Sequence, residues 1–295
     1  MQELAQGAAS LPLTIENVYF VGKPGDPWFL IDTGTPGMAS KILAAARARY
    51  GDTARPKAIF LTHGHTDHAG SAAALAEAWN VPIYAHFLEL PYITGHSKYP
   101  PKDPTVGGAM AMISRVFPMD IVNLNGLVEP LPADGVVPGF PDWQWHFTPG
   151  HSPGHVSYFS PDNSLLLAGD AFATVNMASL ADLMTKKPEI NLPPTPFTCD
   201  WEAARRSVGL LASLNPTTIG CGHGRPLSGP TLPNDLRRFS ETFTPPAHGR
   251  YVGSPAVTNA NGIVSLPPPA PDLFPVQAAA VATVFAGAYA LSKKK

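Results

Sequence analysis

The chain has 295 residues, a formal net charge of −2 and 44% apolar residues. That is enough chain to bury a substantial core in one large domain, and the near-neutral charge offers no basic footprint for nucleic acid. Two cysteines against ten histidines exclude a disulfide framework and point to a reducing, cytoplasmic setting. They also mean that any metal would be met by imidazole and carboxylate, not by thiolate. Residues 1–10 lack the basic and apolar stretches of a secretory signal.

Short apolar runs separated by turn residues read as strands. Residues 13–20 and 28–31 form a predicted pair, joined by the Gly- and Pro-bearing turn 22–27. An Ala-rich helix follows over 38–50, with Lys41, Arg47 and Arg49 on its polar side. Residues 58–61 and 81–84 read as strands with a helix at 71–79 between them, and 143–147, 164–168 and 217–220 as further strands. Several are too apolar to alternate, so burial on both faces is expected. The clearest helix spans 201–214: Trp201, Ala204, Val208 and Leu211 recur at helical spacing, Asp200 caps the start, and Asn215-Pro216 ends it. Strands interleaved with helices argue for a layered α/β fold.

Two Pro- and Gly-rich stretches, 92–108 and 186–198, interrupt the pattern and suit either lids and walls around a site or surface connections. The folded domain is expected over 1–243. Residues 244–275 are rich in proline and small polar residues and read as an extended linker. Residues 276–295 form an apolar tail that ends in three lysines. As a helix, 276–291 would reach about 24 Å, short of the roughly 30 Å of a bilayer core. A weak tail anchor, an interfacial helix giving membrane contact, and a helix packed on the domain all fit it.

The chemistry gathers at strand ends. After the strand 58–61 comes Thr62-His63-Gly64-His65-Thr66-Asp67-His68-Ala69-Gly70. Three imidazoles and a carboxylate crowded into so short a segment need something to neutralise and orient them. A divalent cation does so: zinc suits these donors, and so do iron and manganese. The theme returns at Gly150-His151, Gly169-Asp170 and Gly222-His223, each just beyond a strand and beside a glycine that permits a sharp turn. Ligand sites in α/β sheets lie beyond strand carboxyl ends. Seven donors suit two metals, one taking three histidines, the other an Asp and two histidines, with one carboxylate between them.

This pattern resembles the metallo-β-lactamase-fold hydrolases. His63-Gly64-His65-Thr66-Asp67-His68, with His151, Asp170 and His223 downstream and Asp32-Thr33-Gly34 upstream, follows that family's motif order from about residue 13 to about 228. The resemblance implies a four-layered αββα sandwich with two divalent ions, zinc first among them, at its edge. It implies His63, His65 and His151 on one metal, Asp67, His68 and His223 on the other, and Asp170 bridging. Asp170, in place of Cys or Ser, is closer to the glyoxalase II-like and lactonase-like branches than to the antibiotic-degrading ones. The activity implied is hydrolysis of a small-molecule carbonyl substrate (ester, lactone, thioester or amide) by a metal-activated hydroxide, with Asp67 orienting the nucleophile and shuttling its proton. An iron-dependent sulfur dioxygenase on the same fold is the alternative, disfavoured by a full second set of donors. A phosphodiesterase ranks lower, for want of a basic patch.

The remaining candidates get plainer roles. Asp32 is expected to orient a ligand imidazole or to sit in a turn. His155 reads as a hydrogen-bonding structural histidine, and His86, His96, His146 and His248 as ordinary ones. Cys221 reads as a small buried residue. Phe172, Met177 and Phe197 fit either an apolar pocket beside the metals or the core.

Overall fold

Alternation along the strands sets the layers. The computed structural model describes residues 1–116, 122–272 and 274. Its first sheet contains β1 (Gln2–Ala5), β2 (Ala8–Pro12), β3 (Asn17–Val21), β4 (Phe29–Ile31), β5 (Ile59–Phe60), β6 (Ile83–Ala85) and β7 (Val128–Pro130), paired in sequence order. Pairing is antiparallel up to β4 and parallel from β4 to β7. The second sheet contains β8 (Val136–Val137), β9 (Phe140–Phe147), β10 (Val156–Ser160), β11 (Leu165–Leu167), β12 (Thr218–Gly220) and β13 (Leu227–Ser228), in the order β13-β12-β11-β10-β9-β8.

The helices are α1 (Ala39–Tyr50), α2 (Thr66–Ala69), α3 (Ala72–Trp79), α4 (Leu90–Ile93), α5 (Ala109–Ser114), α6 (Leu180–Thr185), α7 (Trp201–Ser213) and α8 (Leu232–Glu241). Successive strand residues point to opposite faces. On β3, Val18 and Phe20 pack with Ile42 of α1 and Leu75 of α3, whereas Tyr19 and Val21 face the second sheet. On β11, Leu165 and Leu167 face the first sheet while Leu166 joins Val208 of α7 and Leu236 of α8. Three apolar layers result, which is the expected αββα sandwich. Its middle is locked by edge-to-face contacts of Phe29 with Phe60, at 5.3 Å, and with Trp143 of the other sheet, at 5.6 Å.

Several boundaries differ from the sequence expectation. The strand expected at 13–20 begins at Asn17, because the Leu13 N–H donates to the Glu16 carbonyl and closes a turn. Residues 2–12 add a hairpin that composition did not announce, and α8 was likewise unread. The helix at 201 starts as expected, with the Asp200 carboxylate accepting from the Ala203 N–H at 2.9 Å; losing such a cap costs about 1 kcal/mol.

The segment expected to be an extended linker, 244–275, is pinned to the domain over its described residues. Tyr251 is buried and its hydroxyl donates to the Pro101 carbonyl, and the Ala256 N–H donates to the Cys199 carbonyl. The hairpin of β14 (Val257–Asn259) and β15 (Gly262–Ser265) reaches Ser97 through the Ile263 N–H. Tyr251, Val252, Ala256 and Leu266 give this Pro-rich segment its apolar anchors. The tail at 276–295 lies outside the described residues. Among the described residues no helix is long and apolar enough to cross a membrane.

Strand direction places the site. β4, β5 and β6 run parallel. In the second sheet β9, β11 and β12 share one direction, since β10 is antiparallel to both β9 and β11 and β12 is parallel to β11. Cross-sheet hydrogen bonds from the Val156 N–H to the Thr62 carbonyl and from the Asn17 N–H to the Gly222 carbonyl bring the two sets of strand ends together at one edge.

Candidate metal centre

All seven sequence-predicted donors meet at that edge. His63 and His65 lie on the extended segment after β5, and Asp67 and His68 on the single turn of α2. His151 follows β9, Asp170 follows β11 and His223 follows β12. Three overlapping groups have donor atoms within 4.8 Å of one another: His63, His65 and His151; His63, His68 and Asp170; and Asp67, His68 and His223.

In the first group His65 Nδ1 lies 3.0 Å from His63 Nε2 and 2.9 Å from His151 Nε2. The partners behind the rings decide which nitrogens carry protons. Thr62 Oγ1 donates to Asp32 Oδ2, so it accepts from His63 Nδ1 at 3.1 Å. Thr198 Oγ1 donates to the Pro194 carbonyl, so it accepts from His151 Nδ1 at 3.5 Å. His63 Nε2 and His151 Nε2 therefore both present lone pairs to His65 Nδ1, which has at most one proton to share. A cation at their meeting point satisfies all three.

In the second group His68 Nδ1 donates to Asp32 Oδ2 at 2.8 Å, and His223 Nδ1 donates to the Ile15 carbonyl at 3.0 Å. Both Nε2 atoms then face carboxylates. His223 Nε2 is 3.3 Å from Asp67 Oδ2 and from Asp170 Oδ2, and His68 Nε2 is 3.4 Å from Asp170 Oδ2. Two buried polar atoms here, His68 Nε2 and Asp170 Oδ1, have no hydrogen-bond partner. Orphaned buried donors and acceptors are costly, and a divalent cation is the species these residues fit. Gly222 lets the strands close on them, because a Cβ there would collide with Asp170 Oδ1 and the His68 ring.

Electrostatics separate the two groups. Burial holds His63 and His151 well below the ordinary imidazole range and lowers His65 to about 4. Burial acts the same way on His68 and His223, but carboxylates outweigh it. Asp170, Asp32 and Asp67 push His68 well up, and Asp170 and Asp67 raise His223 to about 10. Burial opposes ionisation of Asp67 and Asp170, yet the charges of His68 and His223 hold both carboxylates below their usual range.

Asp32 does what one of its two expected roles requires. It sits in the left-handed region at φ 59 and receives the Thr62 N–H, the Thr62 hydroxyl and His68 Nδ1. His155 is structural: it bonds to Thr148 Oγ1 and accepts the Asp170 N–H at 2.9 Å, and burial lowers it to about 3. Cys221 is buried and its thiol is pushed well up by that burial, so it is no nucleophile. Phe172 belongs to the core, whereas Met177 and Phe197 line a cavity at the cluster.

One residue escaped the sequence reading. Glu89, fully buried, accepts from the Gly64 N–H, the Gly154 N–H, the Ser152 hydroxyl and the Tyr99 hydroxyl. It ties the segment carrying His63 and His65 to the segment carrying His151, and Tyr99 in turn packs on the His65 ring at 4.6 Å. The available signal was a single carboxylate between Leu88 and Leu90, since an isolated charge in an apolar run is rarely buried without partners.

The cavity of about 600 Å³ opens over the donors and is lined by residues of both loop stretches noted in the sequence, including Tyr99 and Lys102 from 92–108 and Pro194 and Phe197 from 186–198. Those stretches are walls of the site.

Comparison with known proteins agrees with this construction. The metallo-beta-lactamase superfamily profile matches residues 11–223. The probable metallo-hydrolase YflN of Bacillus subtilis is 43% identical over 82% of this chain and 93% of its own. A second protein of that organism, the probable metallo-hydrolase YybB, is 34% identical over 72% of this chain and 83% of its own. Among solved structures, TTHA1623 in a di-iron-bound form is 28% identical, with a TM-score of 0.50 over 75% of this chain and 93% of that one. The chain belongs to the metallo-β-lactamase superfamily.

Proposed function

We propose that the chain is a dinuclear metal-dependent hydrolase acting on a carbonyl substrate: an ester, lactone, thioester or amide. In this reading His63, His65 and His151 hold one cation, Asp67, His68 and His223 hold the second, and Asp170 serves both. The observation that carries it is the overlap of three donor groups at one cavity floor, each within 4.8 Å. Divalent cations held there supply Lewis acidity and a nucleophile drawn from water at neutral pH.

The protein's own groups do the rest. Asp67 is the most accessible carboxylate of the cluster, 19% exposed, while Asp170 is buried. It alone of the two can meet substrate and solvent, so its carboxylate is the place to orient the attacking water and move its proton. Thr62, Thr198, Asp32 and the Ile15 carbonyl hold the ring nitrogens that face away, which fixes the tautomers and leaves the inward nitrogens as donors. Relatives described as metallo-hydrolases support the reaction class. Zinc is the first expectation from imidazole and carboxylate donors, and the di-iron form of TTHA1623 makes iron the cation to test against it.

The test is a panel of a lactone, a thioester, an aryl ester, a β-lactam and a phosphodiester, run with zinc-, manganese- and iron-loaded protein while bound metal is counted by mass spectrometry. Two cations per chain and turnover of a carbonyl substrate, lost in Asp67→Asn, are expected. One cation, with oxygen consumed and nothing hydrolysed, would move the assignment to oxidative chemistry.

A further inference from the structure

Resting on that hydrolase reading, we infer that the substrate carries an unbranched apolar chain, seated along a wall built by α5 and α6. The cavity of about 600 Å³ lies within the roughly 300–1,000 Å³ of ligand sites, far more than a reacting carbonyl needs. Its donors mark one place in it. On the side of α5 and α6 its lining is aliphatic, with Met110, Ile113, Met177, Leu180, Leu183 and Met184, whereas Ser97, Lys98, Tyr99 and Lys102 line the side of 92–108.

This wall is a built feature. Met110, Ala173, Val175 and Met177 form a small apolar cluster of their own, with Leu183 and Phe197 packed against it and apart from the three layers of the sandwich. The Ala109 N–H donates to the Ala178 carbonyl and the Met110 N–H to the Met177 carbonyl, which fixes α5 against the segment leading into α6. Phe197 connects the wall to the donors, its ring 6.1 Å from that of His65.

The side chains toward the rim are left in water, with Ile113 at 40% exposure, Leu180 at 60% and Met184 at 78%. Contiguous exposed apolar groups beside a cavity mark a place where apolar ligand surface is buried. Met110, Met177 and Met184 are unbranched and rotatable, so this part of the wall can follow the shape of a flexible apolar chain. A compact polar substrate would use the donors and leave this wall hydrated. The chemical class is therefore a fatty-acyl ester or thioester, or a lactone bearing an alkyl tail.

The experiment pairs rate with binding on the full chain. Hydrolysis of 4-nitrophenyl acetate, butyrate, hexanoate and octanoate is measured with metal-loaded protein below the esters' aggregation concentrations. Binding of butyrate, hexanoate, octanoate and decanoate is measured by calorimetry. Each added methylene that reaches the wall raises kcat/KM and affinity roughly threefold to fourfold. The double variant Leu180→Ser/Met184→Ser, at exposed positions, lowers the octanoate-to-acetate ratio of kcat/KM at least tenfold, whereas Met112→Ser, exposed on α5 outside the cavity lining, leaves that ratio alone. Rates and affinities independent of chain length overturn the inference while the hydrolase reading stands. Affinity that climbs with chain length without hydrolysis of any ester retains the apolar-chain site and removes esters from the hydrolase reading. A chain-length slope untouched by the double variant overturns the assignment to this wall.

Discussion

The two halves of the donor cluster are adjacent, yet opposite forces set their charge. Around His63, His65 and His151 burial dominates, so the rings are neutral and their lone pairs converge with too few protons between them. Around Asp67, His68 and His223 carboxylates dominate, so the rings hold their protons. A cation entering the first half satisfies acceptors that are otherwise unpaired. In the second half it must displace protons that already balance three carboxylates. Metal affinity therefore depends on pH in the second half far more than in the first.

Asp170 breaks the comparison most severely, because it faces both halves. Asp170→Ala is expected to lower kcat/KM well beyond the roughly 10- to 100-fold typical of groups that merely support ligands, and to weaken both cations, as read by mass spectrometry under native conditions. Removing one ring from each half sharpens the contrast. His151→Ala and His223→Ala each leave one cation per chain, but the cation that remains in His223→Ala shows the weaker pH dependence. Equal pH dependence in the two variants would show that the electrostatic division does not govern binding.

Smaller effects come from groups behind the rings. Asp32→Asn keeps the left-handed backbone, which Asn tolerates, and keeps one acceptor oxygen, enough for one of the two Thr62 donors. It removes the charge from His68 Nδ1. Affinity in the second half, which loses the direct Asp32 contact to His68, should fall about 10- to 100-fold, and by more than in the first half, which Asp32 reaches only through Thr62, seen in stepwise zinc titration. Glu89→Gln acts on the other half: one of its oxygens becomes a donor amide facing groups that themselves donate. A loss of about tenfold in first-half affinity is expected, the low end of the roughly 1.5–3 kcal/mol for a charged hydrogen bond, because Glu89 acts on the donors only through their backbone and through Tyr99.

These residues also show what a sequence reveals and what it hides. The seven residues of the cluster were legible because each is a costly residue type past a strand end, five of them beside a glycine, and because His63 to His68 are neighbours in the chain. Asp32 was half legible, as an Asp at a strand end. Glu89 was not, since its meaning lies in partners such as Gly64 and Gly154 that are distant in sequence and contribute backbone N–H groups, which composition cannot display. The buried strands were readable from apolar runs, but their starts were not: Leu13–Glu16 is as apolar as a strand and is turned by one hydrogen bond. Residues 244–272 show the opposite error, where proline content masks the few anchors, Tyr251 above all, that fasten the segment down.

The smallest effect is the pH profile of stability in chelator-stripped protein, and it tests both halves together. His65, at about 4 when folded, stays neutral while the unfolded chain, near 6.5, takes up a proton. Stability is therefore lost as pH falls from about 6.5 toward 4, and His155 at about 3 adds to the loss. His223, raised to about 10, keeps its proton when folded after the unfolded chain has released it. That contribution is complete below about 6.5 and is lost as pH rises from 6.5 to 10. Stripped protein should thus show a maximum Tm near pH 6.5, with an acid fall shared by His65 and the buried His155 and His86 and an alkaline fall that belongs to the second half. With zinc present the alkaline fall should vanish, because cation binding to His68 and His223 strengthens as their protons leave. Scanning calorimetry at pH 5, 6.5 and 9, with and without zinc, reads this directly. A stripped profile that stays level above 6.5 would mean that the carboxylates do not hold a proton on His223, and the contrast between the halves would then rest on burial alone.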